Sequence, residues 1–259
     1  EWIEADRVIV ASGGLSFPRT GSDGTGYGLV TALGHTLEPP IPALTPLAAE
    51  DPLCRGAQGI TVEAELSLWV EGRRERTIRG SLLIAHFGYS GPAALDLSRH
   101  WLRAEGRGAR RVTVNFMPGE DAEALRRAWH DASAAGPRLG VRRHLGPTLP
   151  DRLVVELCAE AGVEPARALA QVNRAKREAL LRSVVERPLP VTGTLGYEKA
   201  EVTAGGVQLS EVDPSTLESR KAPGLFLCGE ILDVEGRLGG FNFQWAWSSG
   251  TVAGRRAAR

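Results

Sequence analysis

Three cysteines, Cys54, Cys158 and Cys228, are all that the sequence holds, far apart and without a Cys-x-x-Cys pair. That excludes a disulfide framework and a cysteine zinc site, and it fits a reducing cytosol. Lysine is equally scarce, at Lys176, Lys199 and Lys221 only. Basic charge is therefore almost all arginine, which reads as genomic base composition and not as phosphate recognition. Formal net charge is zero, so the overall balance favours no nucleic acid, membrane surface or acidic partner. No run of about eighteen apolar residues is present, so no membrane span is expected, and no secretory leader is visible. No two histidines have metal-ligand spacing, no Ser-His-acid arrangement can be read, and no internal repeat is evident, so no metal site is expected. An initiator Met is also missing, and Arg7–Ala11 already reads as an interior strand, so the chain is expected to be truncated at its N-terminus.

What is there suits a globular protein: 259 residues, 42% apolar and 24% charged, enough for one or two domains. Residues 7–11 are a β-branched run that delivers Ser12-Gly13-Gly14, and a helix is predicted over about 25–34. Prolines at 39, 40, 42 and 46 mark the exit from this piece. Ile60, Val62, Ala64, Leu66, Leu68 and Val70 then alternate with Thr61, Glu63, Glu65, Ser67 and Trp69, a strand with one wet face. A hairpin turn follows at Gly72, with further strands at 77–86 and 111–116 and a helix over 92–103 opened by Pro92. Residues 119–187 read as helices over 121–135, 151–161, 164–172 and 173–186, the last capped by Asn173, and Pro188 and Pro190 end the run. Strands return at 200–207 and 224–228, and a helix closes the chain over 242–257. The simplest architecture is an α/β nucleotide-type domain interrupted by an inserted β-plus-helical unit.

The closing segment is the most informative. Leu225–Cys228 ends in Gly229-Glu230, Asp233 lies in the following loop, and Gly239-Gly240 opens a helix through Phe241-Asn242-Phe243. A strand-tip carboxylate accepts from hydroxyls, and a helix start offers unpaired N–H groups and a positive dipole end. The pair suits a flavin, whose ribityl chain carries hydroxyls and whose pyrimidine edge gains negative charge on reduction.

Five blocks in order resemble the BaiN/YhiN-like family of NAD(P)/FAD-dependent oxidoreductases: Ala11–Pro18, Thr20–Tyr27, His86–Pro92, Lys199–Val207 and the closing segment. The resemblance implies a partial FAD-binding, Rossmann-like two-dinucleotide-fold domain interrupted by a β-barrel and a small helical bundle. Its first segment would span 1–50, the barrel 51–118 and 188–207, the bundle 119–187 and the second FAD segment 208–259. Members open with a GxGxxG element for the FAD pyrophosphate, which this sequence lacks. By the same resemblance the cofactor residues are Ser12, Gly13, Gly14, Thr203, Gly205, Gly206, Gly229, Glu230, Asp233, Gly239, Gly240, Phe241, Asn242 and Phe243. Glu201 and Thr203 would border the substrate side, where a carboxylate substrate would be repelled by Glu201. Asp23 caps a helix or lies by the flavin, His86 reads as a structural histidine, and Trp245 and Trp247 read as packing residues.

The resulting expectation is a cytoplasmic flavoprotein passing hydride from NAD(P)H through FAD to an organic small molecule, with an activated C=C bond as one acceptor class. An oxidase of a small amine or similar substrate is the enzymatic alternative. A non-catalytic fragment without the pyrophosphate element is the alternative of another class.

Overall fold

The computed structural model describes residues 3–259. In chain order the strands are β1 (Val8–Val10), β2 (Leu37–Ala43), β3 (Leu47–Ala49), β4 (Thr61–Val70), β5 (Arg73–Ala85), β6 (Gly88–Ser90), β7 (Arg110–Asn115), β8 (Arg187–Leu189), β9 (Val191–Thr194), β10 (Val202–Val207) and β11 (Leu225–Leu227). The helices are α1 (Thr25–Ala32), α2 (Leu53–Gly56), α3 (Pro92–Arg103), α4 (Ala122–Ala135), α5 (Val141–Leu145), α6 (Asp151–Glu160), α7 (Arg174–Val185) and α8 (Phe241–Ala257). They divide into two compact units, Glu1–Thr45 with Leu195–Arg259, and Pro46–Thr194. No helix of the described residues is long and apolar enough to cross a membrane.

The first unit is α/β. Strands β1 and β11 pair in parallel, Val8 with Leu225 and Val10 with Leu227, so the loops after both strands leave at the same carboxyl edge. Its core gathers Val10, Val30, Val207, Phe226, Leu227, Ile231 and Ala253. Leu37–Ala43, read as a proline-rich exit, is a strand antiparallel to β10, with Thr203 opposite Pro42 and Val207 opposite Leu37. The ladder tolerates these prolines because Pro39 and Pro40 fall at the register shift between Ala204 and Gly206 and Pro42 lies on a strand with one free edge. Residues 195–207, expected with the insert, lie in this first unit for the same reason. His35, which showed no partner pattern in the sequence, is buried between Glu211 (3.0 Å) and Ser219 (2.9 Å).

The second unit carries a seven-stranded sheet in the order β8-β7-β4-β5-β6-β3-β9. The predicted alternation holds: Val62, Ala64, Leu66, Leu68 and Val70 are buried in β4. The β4–β5 turn at Glu71-Gly72 uses positive φ at both residues, the geometry that matches strand twist in a two-residue hairpin. Among the described residues no closed barrel forms. The outer strands β8 and β9 are separated in the chain by Pro190 alone, so the sheet curls until its edges share a corner, yet no ladder joins them. Pro188 and Pro190 supply none of the N–H donors that a closing ladder would use.

Nor do the helices form a separate bundle; α4, α6 and α7 share one continuous core with the sheet and α3. The helix expected over 164–172 is reduced to one turn at Leu169–Gln171. Its carbonyls are committed elsewhere: Pro165 and Arg167 accept from Arg142 and Val141 at the start of α5. Asn173 caps α7 as expected, its side chain accepting from Lys176 N at 2.9 Å. A buried polar cluster pins this unit, with Arg187 donating to both Asp51 oxygens (2.7 and 2.8 Å) and to Glu160, and Tyr89 donating to Asp51.

Candidate functional site

Within the first unit, a cavity of about 620 Å³ opens beside the carboxyl edge of the parallel pair. Ligands of α/β sheets bind at such edges because the strand-following loops meet there. Its walls are Phe17, Leu44, Val202, Val234, Leu238, Phe243 and Trp245, with Ser16, Thr20, Ser22 and Asn242 as polar lining. Glu201 and Glu230 bring two carboxylates, and no cationic side chain lines it.

Thr203 sits behind this wall as a hub. It is fully buried, and its Oγ1 accepts from Leu15 N (2.8 Å) and Ser16 N (3.1 Å) and lies 3.1 Å from Ser16 Oγ. Its own N–H donates to Glu230 Oε1 at 3.1 Å. Gly14 is squeezed into the same joint, since a Cβ there would stand 2.5 Å from both Glu230 Oε1 and Thr203 Oγ1. Burial raises the Glu230 carboxyl above its ordinary range, and the hydrogen bond from Thr203 only partly offsets that.

The opposite side is the start of α8. Gly239 and Gly240 take positive φ (124° and 83°), and the first helical bond runs from Gln244 N to Gly240 O. The N–H groups of 241–243 precede that bond, no side chain caps the helix start, and its first turn holds no acid. Seventeen residues of helix put their positive dipole end here. The helix is tied to the strand tip, because Trp245 Nε1 donates to Gly229 O (3.0 Å) and Gly229 N donates to Ser249 Oγ (2.9 Å).

The structure thus separates the expected cofactor residues into two sets. Glu230, Gly239, Gly240, Asn242 and Phe243 line the cavity, whereas Ser12, Gly13, Gly14, Thr203, Gly205, Gly206, Gly229, Asp233 and Phe241 do not. Gly205 and Gly206 serve backbone approach instead: with φ of 96° and 138°, a Cβ on either would meet the carbonyls of Pro39 or Ile231 at 2.6 and 2.5 Å. Gly26 likewise makes room for Ser12 against α1. The Asn242 side chain is spent on Gly236, accepting from its N and donating to its O, which leaves the backbone of 242 for a ligand. Of the expected substrate-side pair, Glu201 lines the cavity and Thr203 is engaged behind it. Asp23 accepts from Thr25 N and opens α1. His86, read as a structural histidine, is exposed in the second unit, edge-on to Phe87. Trp245 is a cavity wall, and Trp247 is exposed and stacks on Phe243.

Composition gave no sign of Phe17 and Leu44. Both are bulky residues with φ of 51°, and both line the cavity. Such backbone strain gathers at ligand clamps. Tyr27, 7% exposed, has a hydroxyl with no hydrogen-bond partner among the described residues, and burial first, then the charge of Glu230 and, less, of Asp233, raise its pKa. Within the cavity, the Glu230 carboxylate, the Gly239-Gly240 turn and the uncapped helix start are a donor and acceptor set that fits the ring and ribityl end of a flavin.

A family model described as "HI0933-like protein Rossmann domain" matches residues 1–256. The chain belongs to the HI0933-like family. This is the BaiN/YhiN-type flavoprotein family of the sequence resemblance. Among curated proteins, the HI0933-like chain is 36% identical over 255 residues to a 3-dehydro-bile acid delta(4,6)-reductase of Clostridium scindens, covering 98% of this chain and 62% of that protein. It is 35% identical over 247 residues to a ribosomal RNA dihydrouridine synthase of Escherichia coli (95% and 59% covered). To the protein of that name from Haemophilus influenzae it is 33% identical over 251 residues (96% and 59% covered). The chain thus spans about three fifths of the length of these relatives. The family and the reductase relative support a redox function. Two of the names concern RNA, which stands against the expectation of no nucleic-acid partner.

Proposed function

We propose that this chain forms the flavin-ring side of an FAD-dependent oxidoreductase that moves hydride from NAD(P)H to an organic acceptor with an activated carbon–carbon double bond. The observation that carries the reading is the uncapped start of α8 opening, with Glu230, into one cavity. When bound, the flavin supplies the hydride relay between reductant and acceptor. The protein's part is to bind and orient. The N–H groups of 241–243 favour an electron-rich pyrimidine edge, and Glu230 accepts from ribityl hydroxyls. Phe17, Leu44 and Trp245 keep water from the ring. Glu201 and Glu230 at the wall disfavour an anionic group placed against them, so the acceptor's reacting end would be neutral. The activities named for the relatives, a delta(4,6)-reduction and a dihydrouridine synthesis, each saturate a carbon–carbon double bond, which supports the acceptor class.

The test is spectroscopic. Chain incubated with FAD and desalted should keep flavin bands near roughly 370 and 450 nm and should lose them on NAD(P)H addition under argon. Recovery of the bands by an enone, and not by air alone, distinguishes a reductase from an oxidase. A folded, colourless chain overturns the reading for this polypeptide and favours the non-catalytic fragment.

A further inference from the structure

Four non-glycine residues among those described take positive φ, and two of them have a local reason. Glu71 occupies the β4–β5 hairpin turn, and Leu217 closes a single turn in which its N–H donates to Asp213 O at 2.7 Å. Phe17 and Leu44 both have φ of 51°, and both line the cavity. Such a backbone favours glycine, yet a large apolar side chain stands at each position. Phe17 is the more unusual, because Pro18 follows it and the residue before a proline is normally extended.

Core packing explains neither side chain. Leu44 is 3% exposed yet belongs to neither hydrophobic core, and Phe17 is 49% exposed. Their strained backbone is instead held from one segment, residues 196–201. Tyr197 O accepts from Phe17 N at 3.2 Å, and Glu201 N donates to Leu44 O at 3.2 Å. Thr45, next to Leu44, donates its hydroxyl to Gly196 O at 3.2 Å. From the other direction Thr20 fixes Phe17, since its N and its Oγ1 both donate to Phe17 O (2.9 and 2.8 Å) across a single 3-10 turn over Pro18–Thr20. One clip therefore positions both side chains, and Val202 continues the same wall. The start of α8 forms the cavity's other side.

We propose that Phe17 and Leu44 are a strained clamp for the acceptor, gripping its apolar face while the flavin lies against the α8 side. The clamp depends on the flavin reading for its occupant and not for its strain. Non-glycine residues in this backbone region persist only where the surrounding structure over-determines them, as the 196–201 clip does here. Glycine at position 17 would relieve the strain and remove little packing, because the ring joins neither core. What it would remove is an apolar surface turned to a ligand. Stability and binding are therefore opposed at Phe17, which a packing role does not predict.

Titration of the chain with prodan, a neutral aryl ketone that fluoresces more strongly in apolar surroundings, reads the clamp without flavin. Phe17→Gly and Phe17→Ala should each weaken prodan binding by about fivefold or more. The glycine variant should melt about 2 to 4 °C above the alanine variant, which keeps a strained Cβ. Leu44→Ala should weaken binding as well. Leu29→Ala, at a leucine of α1 that is also 49% exposed and does not line the cavity, should bind as the unaltered chain does. In FAD-loaded protein, the 2-cyclohexenone concentration that half-saturates flavin reoxidation should rise by the same factor, with bleaching by NAD(P)H unchanged. Unaltered chain that binds prodan and holds no flavin supports the clamp while overturning the flavin reading. Prodan binding unchanged by Phe17→Gly and Leu44→Ala, or a glycine variant that melts no higher than the alanine one, would overturn the clamp. So would an equal loss of FAD affinity, which assigns both side chains to the flavin.

Discussion

Thr203 Oγ1 accepts the backbone N–H of Leu15 at 2.8 Å across 188 residues of sequence, and so latches the loop after β1 onto β10. One hydroxyl satisfies two buried donors and touches a third, Ser16 Oγ. Thr203→Val keeps the shape and removes the acceptor, leaving those donors buried without a partner. The expected cost is about 2 to 3 kcal/mol of stability. Thr203→Ser, which restores the oxygen, should recover most of it. Chemical denaturation of the three proteins checks the order, and an unchanged midpoint for the valine variant would remove the latch.

Gly14 and Gly28 make opposite predictions for the same substitution. At Gly14 a methyl group lands within 2.5 Å of two oxygens that are themselves hydrogen-bonded, so Gly14→Ala should cost upwards of about 2 kcal/mol. At Gly28, inside α1, nothing lies within 4 Å, and Gly28→Ala should gain about 0.5 to 1 kcal/mol from helix propensity. Thermal melts of both variants separate close packing from a general intolerance of alanine.

Much of this was legible in the residues. Period-two alternation in β4, Pro92 at the start of α3 and Asn173 as a cap are local signals, and the structure follows them. The Gly-Glu strand tip and the Gly-Gly helix start were legible as well, since both chemistries follow from the chain termini they mark. Long-range pairing was not. Nothing local tells Leu37–Ala43 that its partner is Val202–Val207, and proline there reads as a loop until the free edge is seen. The packing of Thr203 and Gly206 was not legible for a related reason, because a Thr-x-Gly-Gly looks alike whether its glycines admit a ligand or a neighbouring carbonyl.

Glu211 ties His35, Lys221 (2.6 Å) and Thr36 N (2.9 Å) together in the first unit. Burial alone would raise its carboxyl; Lys221, Thr36 and His35 outweigh burial and hold it at about 2. A folded pKa below the unfolded one contributes stability above the ordinary glutamate range, and that stability is lost as pH falls toward 2. Glu211→Gln should therefore cost about 2 kcal/mol at pH 7 and progressively less between about pH 5 and pH 2. Parallel melts across that window test it, and a constant difference between the two proteins would show that charge is not the cause.

Glu230 should behave in the opposite sense. Its carboxyl is raised by burial, so in the flavin-free chain its ionisation opposes the fold. A folded pKa above the unfolded one contributes stability that is present at low pH and lost as pH rises through the folded value. Glu230→Gln keeps an oxygen for the Thr203 N–H and carries no charge, so it should stabilise the chain by about 1 kcal/mol at pH 7 and hardly at all at pH 4. The same change removes the ionised acceptor offered to ribityl hydroxyls. FAD affinity should then fall by about tenfold or more, the scale of a charged hydrogen bond. Melts and FAD titrations on one pair of proteins read both effects. A variant more stable yet weaker for FAD places the carboxylate in the cofactor site at the expense of the fold. A variant that loses stability and binds FAD unchanged makes Glu230 a structural clamp for Thr203 and nothing more.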